Sequence, residues 1–262
     1  MKYIKTTIIS IFILVSISMA GIVMTTKYQD LTNTKAQPIN QNTYLEKDKI
    51  RMDMKGDKSD MAMIFLGDKQ LFWMINNTKK SYTEMTREDL EKIQKTAEEA
   101  LNKMQEALKN LPPEMQEKMK SMTQSEASKK SEIIYKKVAG DEKINQWVCD
   151  KYEGTRDNQK VVEVWTAGWK KLGLSEEDLK GFDQIGTFFT SMMKNMSWHY
   201  KVGTGEKAEG MYIGFPIKTV SFEKGKPANE YEIKEIKQAD LQPSTFEVPK
   251  GYKKEKMLGE KD

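Results

Sequence analysis

The chain has 262 residues, with 43 Lys+Arg, 39 Asp+Glu, one His, one Cys, 18 Met and a formal net charge of +4. One His and one Cys exclude a zinc site, which takes three or four nitrogen or sulfur ligands, a thiolate-ligated iron–sulfur cluster and a disulfide framework within the chain. A charged fraction of 31% beside 38% hydrophobic residues excludes a multi-span membrane protein and a disordered tail, and the charges are interspersed without the basic block of a nucleic-acid footprint.

Lys2 and Lys5 precede an uncharged run from Thr6 to Thr26, and Ser18-Met19-Ala20 offers small residues before a cut after Ala20. The pattern predicts a signal peptide over residues 1–20. The rival is an uncleaved anchor over 6–26, because the run matches the ~20 residues a bilayer needs. Either way the body is exported, and membrane contact is confined to this N-terminal segment. No Cys near the cut is available for lipid modification. Disulfides persist outside the cytoplasm, so the lone Cys149 is either a small buried hydrophobe in a strand or a thiol for an intermolecular bond. Residues 21–44, polar and carrying Pro38 with several Asn and Gln, read as a tether.

Four strand-like runs follow. Ile50, Met52 and Met54 alternate with Arg51 and Asp53, the period of a half-buried strand. Residues 61–66 and 71–75 are apolar on both faces, and 81–85 is a fourth strand, with turns at 67–70 and 76–79. Thr86 opens a helix with Glu88 and Asp89 in its first turn. Leu90, Ile93, Ala97, Leu101, Met104, Leu108 and Leu111 form its apolar stripe, expected to pack on the sheet. Pro112-Pro113 ends it and starts a second helix bearing Met115, Met119 and Met122, so residues 87–123 form a helical insert. Strands are expected over 132–138, 146–153 and 161–165, with turns at Gly140-Asp141 and Asp157-Asn158. Ser175 caps a third, unusually apolar helix. A hairpin around Gly225-Lys226-Pro227 closes the domain, and 256–262 is a charged tail. The order predicts a single α+β domain over 45–255: a curved antiparallel sheet, or open half-barrel, with helices packed on one face. No strand–helix–strand alternation with a Gly-rich turn supports a parallel nucleotide-binding sheet.

The runs Lys49-Ile50-Arg51-Met52-Asp53-Met54-Lys55-Gly56 and Lys79-Lys80-Ser81-Tyr82-Thr83-Glu84-Met85 resemble a family of exported bacterial proteins known as domain of unknown function 4412. Gly140-Asp141-Glu142-Lys143-Ile144-Asn145, Cys149-Asp150-Lys151-Tyr152-Glu153 and the close from Pro243 to Lys253 are similar to its central strand pair and its ending. That family in turn resembles the periplasmic lipoprotein-carrier and lipoprotein-receptor fold. The resemblance implies a bacterial cell-envelope location, periplasmic or extracellular, and an apolar cavity that binds an acyl chain.

The candidate lining is Met52, Met54, Met61, Met63, Phe65, Trp73 and Met74 on consecutive strands, covered by Phe182, Phe189, Met192, Met193 and Met196 of the third helix. Concave apolar surface with few polar groups is the usual form of a lipid pocket. The same residues also suit a closed core, since methionine fills gaps well. Met52-x-Met54, Met61-x-Met63 and Met192-Met193-x-x-Met196, with His199 three residues on, offer a third reading as soft ligands for Cu(I). His199 and Trp198 end the apolar helix, and Trp147, Trp165 and Trp169 anchor strands and helix ends. No Gly-x-Ser-x-Gly, His-Glu-x-x-His or phosphate-binding loop occurs, so no enzyme activity and no cofactor are expected. The leading expectation is a non-catalytic protein that binds a lipid or a lipoprotein acyl chain. The alternative is a structural envelope module with a protein partner and a filled core.

Overall fold

The computed structural model describes residues 21–33, 35–56, 59–109, 115, 133–190 and 210–256. Residues 1–20, the second insert helix with Met119 and Met122, the lining candidates Met192, Met193 and Met196, Trp198, His199 and tail residues 257–262 lie outside them.

Twelve strands form one sheet: β1 (Gly21–Asp30), β2 (Ile39–Glu46), β3 (Lys49–Gly56), β4 (Ser59–Leu66), β5 (Leu71–Asn76), β6 (Ser81–Thr86), β7 (Ile134–Ile144), β8 (Trp147–Arg156), β9 (Gln159–Ala167), β10 (Phe215–Glu223), β11 (Lys226–Ala239) and β12 (Lys253–Glu255). Their spatial order is β12-β6-β5-β4-β3-β2-β1-β11-β10-β9-β8-β7. Neighbours run antiparallel except for the β12–β6 pair, and the sheet is open at β12 and β7. The β3–β6 meander follows the expected runs closely. At Asp157-Asn158 both residues take positive φ, 51° and 61°, as a tight hairpin turn with the sheet's own twist requires.

Residues 21–44 are no tether. β1 and β2 occupy the middle of the sheet, and β1 is the seam between the two meanders, pairing with β2 on one side and β11 on the other. Ile22, Met24 and Leu45 are buried, and Tyr28 donates its hydroxyl to Asn229 at 2.8 Å. Polar Asn and Gln positions are tolerated because the flanking strands satisfy both backbone edges and only every second side chain meets the core. The last six residues of the 6–26 anchor reading, 21–26, belong to this seam. Gly140-Asp141 is likewise no turn: β7 continues to Ile144 through register shifts against β8, and the chain reverses at Asn145, φ 52°.

Two α-helices longer than three turns accompany the sheet among the described residues, besides two short 3-10 turns. In α1 (Arg87–Lys109), Thr86 and Asp89 cap each other: the Thr86 hydroxyl donates to Asp89 Oδ2 at 2.7 Å and the Asp89 amide donates to Thr86 Oγ1 at 3.2 Å. Ser175 and Asp178 repeat the arrangement at the start of α2 (Glu176–Thr190). The expected face of packed helices is not formed; α2 alone lies against the sheet, through Phe188 and Phe189. Leu90 of α1 is buried, but Ile93 and Met104 are exposed, because α1 departs from β6, the second strand from an edge, and runs off the sheet. The architecture is therefore a large open antiparallel sheet crossed by α2, with more sheet than an α+β layering implies. No helix among the described residues is long and apolar enough to cross a membrane.

Candidate functional site

Directly paired residues of antiparallel strands share a face, so the register sorts the candidates. Ile22, Leu45, Ile50, Phe65, Phe72 and Met85 form one cross-strand row. Met24, Thr43, Met52, Met63, Met74 and Thr83 form the next row on the same face. Thr26, Gln41, Met54, Met61, Asn76 and Ser81 form the third. No charged residue stands in these three rows from β1 to β6.

Helix α2 lies on the first row. Phe188 faces Phe65 with ring centroids 5.3 Å apart, and Phe189 meets Phe72 edge-on at 5.1 Å. Gly181 permits the approach, since a Cβ there would stand 3.0 Å from Ile50 Cγ1. Phe182 reaches across to Phe215 on β10 at 6.3 Å. Met52 and Met63 pack against this core as half-buried residues. Met54 and Met61 are half-buried too, and Met74 is 42% exposed. The structure thus brings Met52, Met54, Met61, Met63, Phe65 and Met74 to one face with Phe182 and Phe189 over it.

Trp73 is not among them. It pairs with Ile64 and Glu84 and so points to the opposite face. There Ala62, Ile64, Leu66, Ile75 and Phe246 form a second, smaller core. The closing segment covers it: Arg51 Nη1 donates to the Thr245 carbonyl at 2.9 Å and the Tyr252 hydroxyl donates to Asn77 Oδ1 at 3.0 Å. Trp73 Nε1 donates to Glu84 Oε2 at 2.9 Å, and Lys254 Nζ reaches Glu84 Oε1 at 2.6 Å. Lys254 first, then Trp73, holds the Glu84 carboxyl below its ordinary range. β4 and β5 are apolar on both sides, so composition along a strand does not reveal which of two cores a residue joins.

The charges of β3 lie on that second face. Arg51 and Asp53, 2.7 Å apart, alternate with Met52 and Met54. Two buried polar atoms lack a partner among the described residues: Ser81 Oγ, at the end of the third row, and Gln184 Oε1 of α2, which lies against Gly67 in the turn between β4 and β5. Neither carries a sequence signal beyond its place in an apolar pattern. Met24, missed as a member of this face, shows one: Ile22 and Met24 are apolar residues two apart within β1, whereas Leu45 in β2 has only Thr43 and Lys47 at that spacing.

Cys149 is 1% exposed within β8. Burial, and next the charge of Asp150, push its thiol up to about 11, so it is no nucleophile at neutral pH. Trp147 and Trp165 are buried in the same core, and Trp165 Nε1 donates to Glu142 Oε2 at 2.5 Å. Trp169 is half-buried in the 3-10 turn Trp169–Leu172. Among the described residues no group of three or more His, Cys, Asp or Glu is placed to hold a metal ion.

A sequence profile for the family described as Domain of unknown function (DUF4412) matches residues 100–252. The match takes in β7 to β11 and most of the closing segment; the runs around Met52 and Tyr82 precede it. No curated protein matches the chain. Among solved structures, an uncharacterized conserved protein from Thermus thermophilus is 9% identical with a TM-score of 0.46, covering 92% of this chain and 91% of that one. PNGF-II is 10% identical with a TM-score of 0.38, and the match spans 90% of this chain but 31% of that one. A chain of the Pseudomonas aeruginosa MucA/MucB complex is 8% identical with a TM-score of 0.39, over 88% of this chain and 56% of that one. At these scores the likenesses carry no functional meaning for this chain.

Proposed function

We propose, for a chain that belongs to the family described as Domain of unknown function (DUF4412), that it is an exported, non-catalytic binding protein holding a lipid or a lipoprotein acyl chain between the sheet and α2. The observation that carries this reading is the register: three adjacent cross-strand rows from β1 to β6 hold methionines, aromatics and small polar residues without a charge. The opposite face alternates Arg51, Asp53 and Glu84 with its apolar residues. Methionine suits a surface that re-packs around variable apolar ligands. Burying eight methylenes of an acyl chain contributes about 6 kcal/mol before association costs, at ~0.8 kcal/mol each.

The lipoprotein-carrier-like half-barrel belongs to the same proposal. Phe182 and Phe189 stand seven residues apart, ~10 Å along a helix. They touch β10 and β5, which lie six strand steps apart and would be ~29 Å apart in a flat sheet. A sheet bent toward α2 accommodates both contacts. Export is supported by the N-terminal pattern. With Ile22 and Met24 held in the sheet core, the uncharged run left over is 6–20, short of the ~20 residues of a membrane span, which favours a cleaved signal over an anchor.

Native mass spectrometry of protein purified from membranes tests the reading. A bound lipid is expected, and fatty acid added at ~100 times Kd stabilises the fold by about 2.7 kcal/mol. Absence of any co-purifying lipid together with no thermal stabilisation sinks the proposal. It would leave the second reading, an envelope module with a filled core, which the interlocked rings of Phe65, Phe72, Phe188 and Phe189 favour.

A further inference from the structure

We propose that Met52, Met54, Met61 and Met63 form a thioether site for Cu(I), with Met74 beside it. Met52 pairs directly with Met63, and Met54 with Met61, across the β3–β4 ladder. All four side chains therefore leave the same face of two neighbouring strands. Paired Cβ atoms lie ~5 Å apart, and residues two apart in a strand ~7 Å apart, so the four Cβ atoms mark a rectangle whose centre is about 4 Å from each corner. A methionine side chain has three rotatable bonds and swings its sulfur over that distance. Met74, the partner of Met63 on β5, adds a fifth thioether next to the rectangle. At 42% exposure it also offers an entry route.

The donor set selects the ion. Hard cations need oxygen ligands, yet the carboxylates nearest in sequence take the other face: Asp53 pairs with Ala62 and Asp60 with Lys55. Uncharged thioethers alone favour a soft monovalent ion, Cu(I) or its redox-silent analogue Ag(I), over Zn(II), Mg(II) or Ca(II). A thioether has no proton to lose, so binding here is free of the proton competition that governs Cys and His sites. The buried Cys149 thiol, held up to about 11, takes no part. The inference is independent of the lipid reading, because it needs the four sulfurs and not a hollow interior.

The test is an anaerobic titration of the full chain with Cu(I) against a chromophoric Cu(I) chelator. One tight Cu(I) per chain is expected, unchanged from pH 8 to pH 5. Cys149→Ala and His199→Gln keep it. Met52→Leu/Met54→Leu and Met61→Leu/Met63→Leu each weaken it by at least about 100-fold, beyond what loss of a mere supporting group costs. Should either double variant fail to fold, the wild-type protein carrying 13C-methyl methionine answers the question, because Ag(I) must shift the methyl signals of these four residues. Unchanged binding in both folded double variants, Ag(I) shifts confined to other methionines, or affinity that collapses as pH falls through 6 would overturn the proposal. The lipid reading is judged by lipid recovery and survives that failure.

Discussion

Phe188→Ala is the most direct probe of how α2 is held over the sheet. Phe188 is 3% exposed and packs against Phe65, itself 1% exposed, with the rings tilted at 56° and their centroids 5.3 Å apart. It also meets Phe189 edge-on at 5.2 Å. Truncating a buried phenylalanine removes its transfer free energy and leaves a void, at a cost of about 3–5 kcal/mol. For a domain of this size each kcal/mol lowers Tm by roughly 2–4 °C, so a fall of about 6–20 °C is expected. A double-mutant cycle with Phe65→Ala isolates the ring pair itself, worth about 0.5–1.5 kcal/mol beyond area burial. Urea denaturation of the four proteins supplies the cycle. If Phe188→Ala costs under ~1 kcal/mol, or the two substitutions add within ~0.5 kcal/mol, then α2 does not seat on β4 and the apolar face loses its cover there.

Four further outcomes are expected. Leu90→Ala should cost about 2–5 kcal/mol and Met104→Ala less than about 0.5, because Leu90 is 1% and Met104 42% exposed; equal costs by denaturation would mean that the whole of α1 packs. Thr86→Ala should cost about 0.5–2 kcal/mol at pH 7. The Thr86 hydroxyl, then its amide, holds the Asp89 carboxyl below its ordinary range; this stabilisation is present above the unfolded value of about 3.9 and is lost as pH falls through the lower folded value, so the gap between wild type and variant should narrow below about pH 4. The Cys149 thiol should resist a thiol-specific dye at pH 8 until denaturant is added, and rapid labelling of the folded protein would contradict its burial. Trp73→Phe should leave lipid stabilisation intact while Met63→Glu abolishes it, since the two residues occupy opposite faces; equal losses would refute the assignment of faces.

The sequence by itself determined the local elements. Alternating and doubly apolar runs located β3 to β6, and Asp157-Asn158 marked a turn whose two positive φ angles tolerate few other residues. Thr86 and Ser175 each announced a helix start through a hydroxyl followed three residues later by an acid. The family was legible as well, in short motifs around Cys149 and Pro243. What tertiary structure alone decided is partnership. β1 and β2 looked like a tether because their residues are polar and β1 is held from one side by β11, far along the chain; Tyr28 against Asn229 has no local signature. α1 carried a stripe fit for packing, but its departure from the sheet margin leaves Ile93 and Met104 without cover from the strands. Trp73 was indistinguishable from its neighbours, because β4 and β5 are apolar on both sides and a period of two does not say which face belongs to which core. The excess of methionine was visible at once. Only the cross-strand register, which depends on how many residues each turn inserts, set Met52 against Met63 and Met54 against Met61 and gathered them on a single uncharged face.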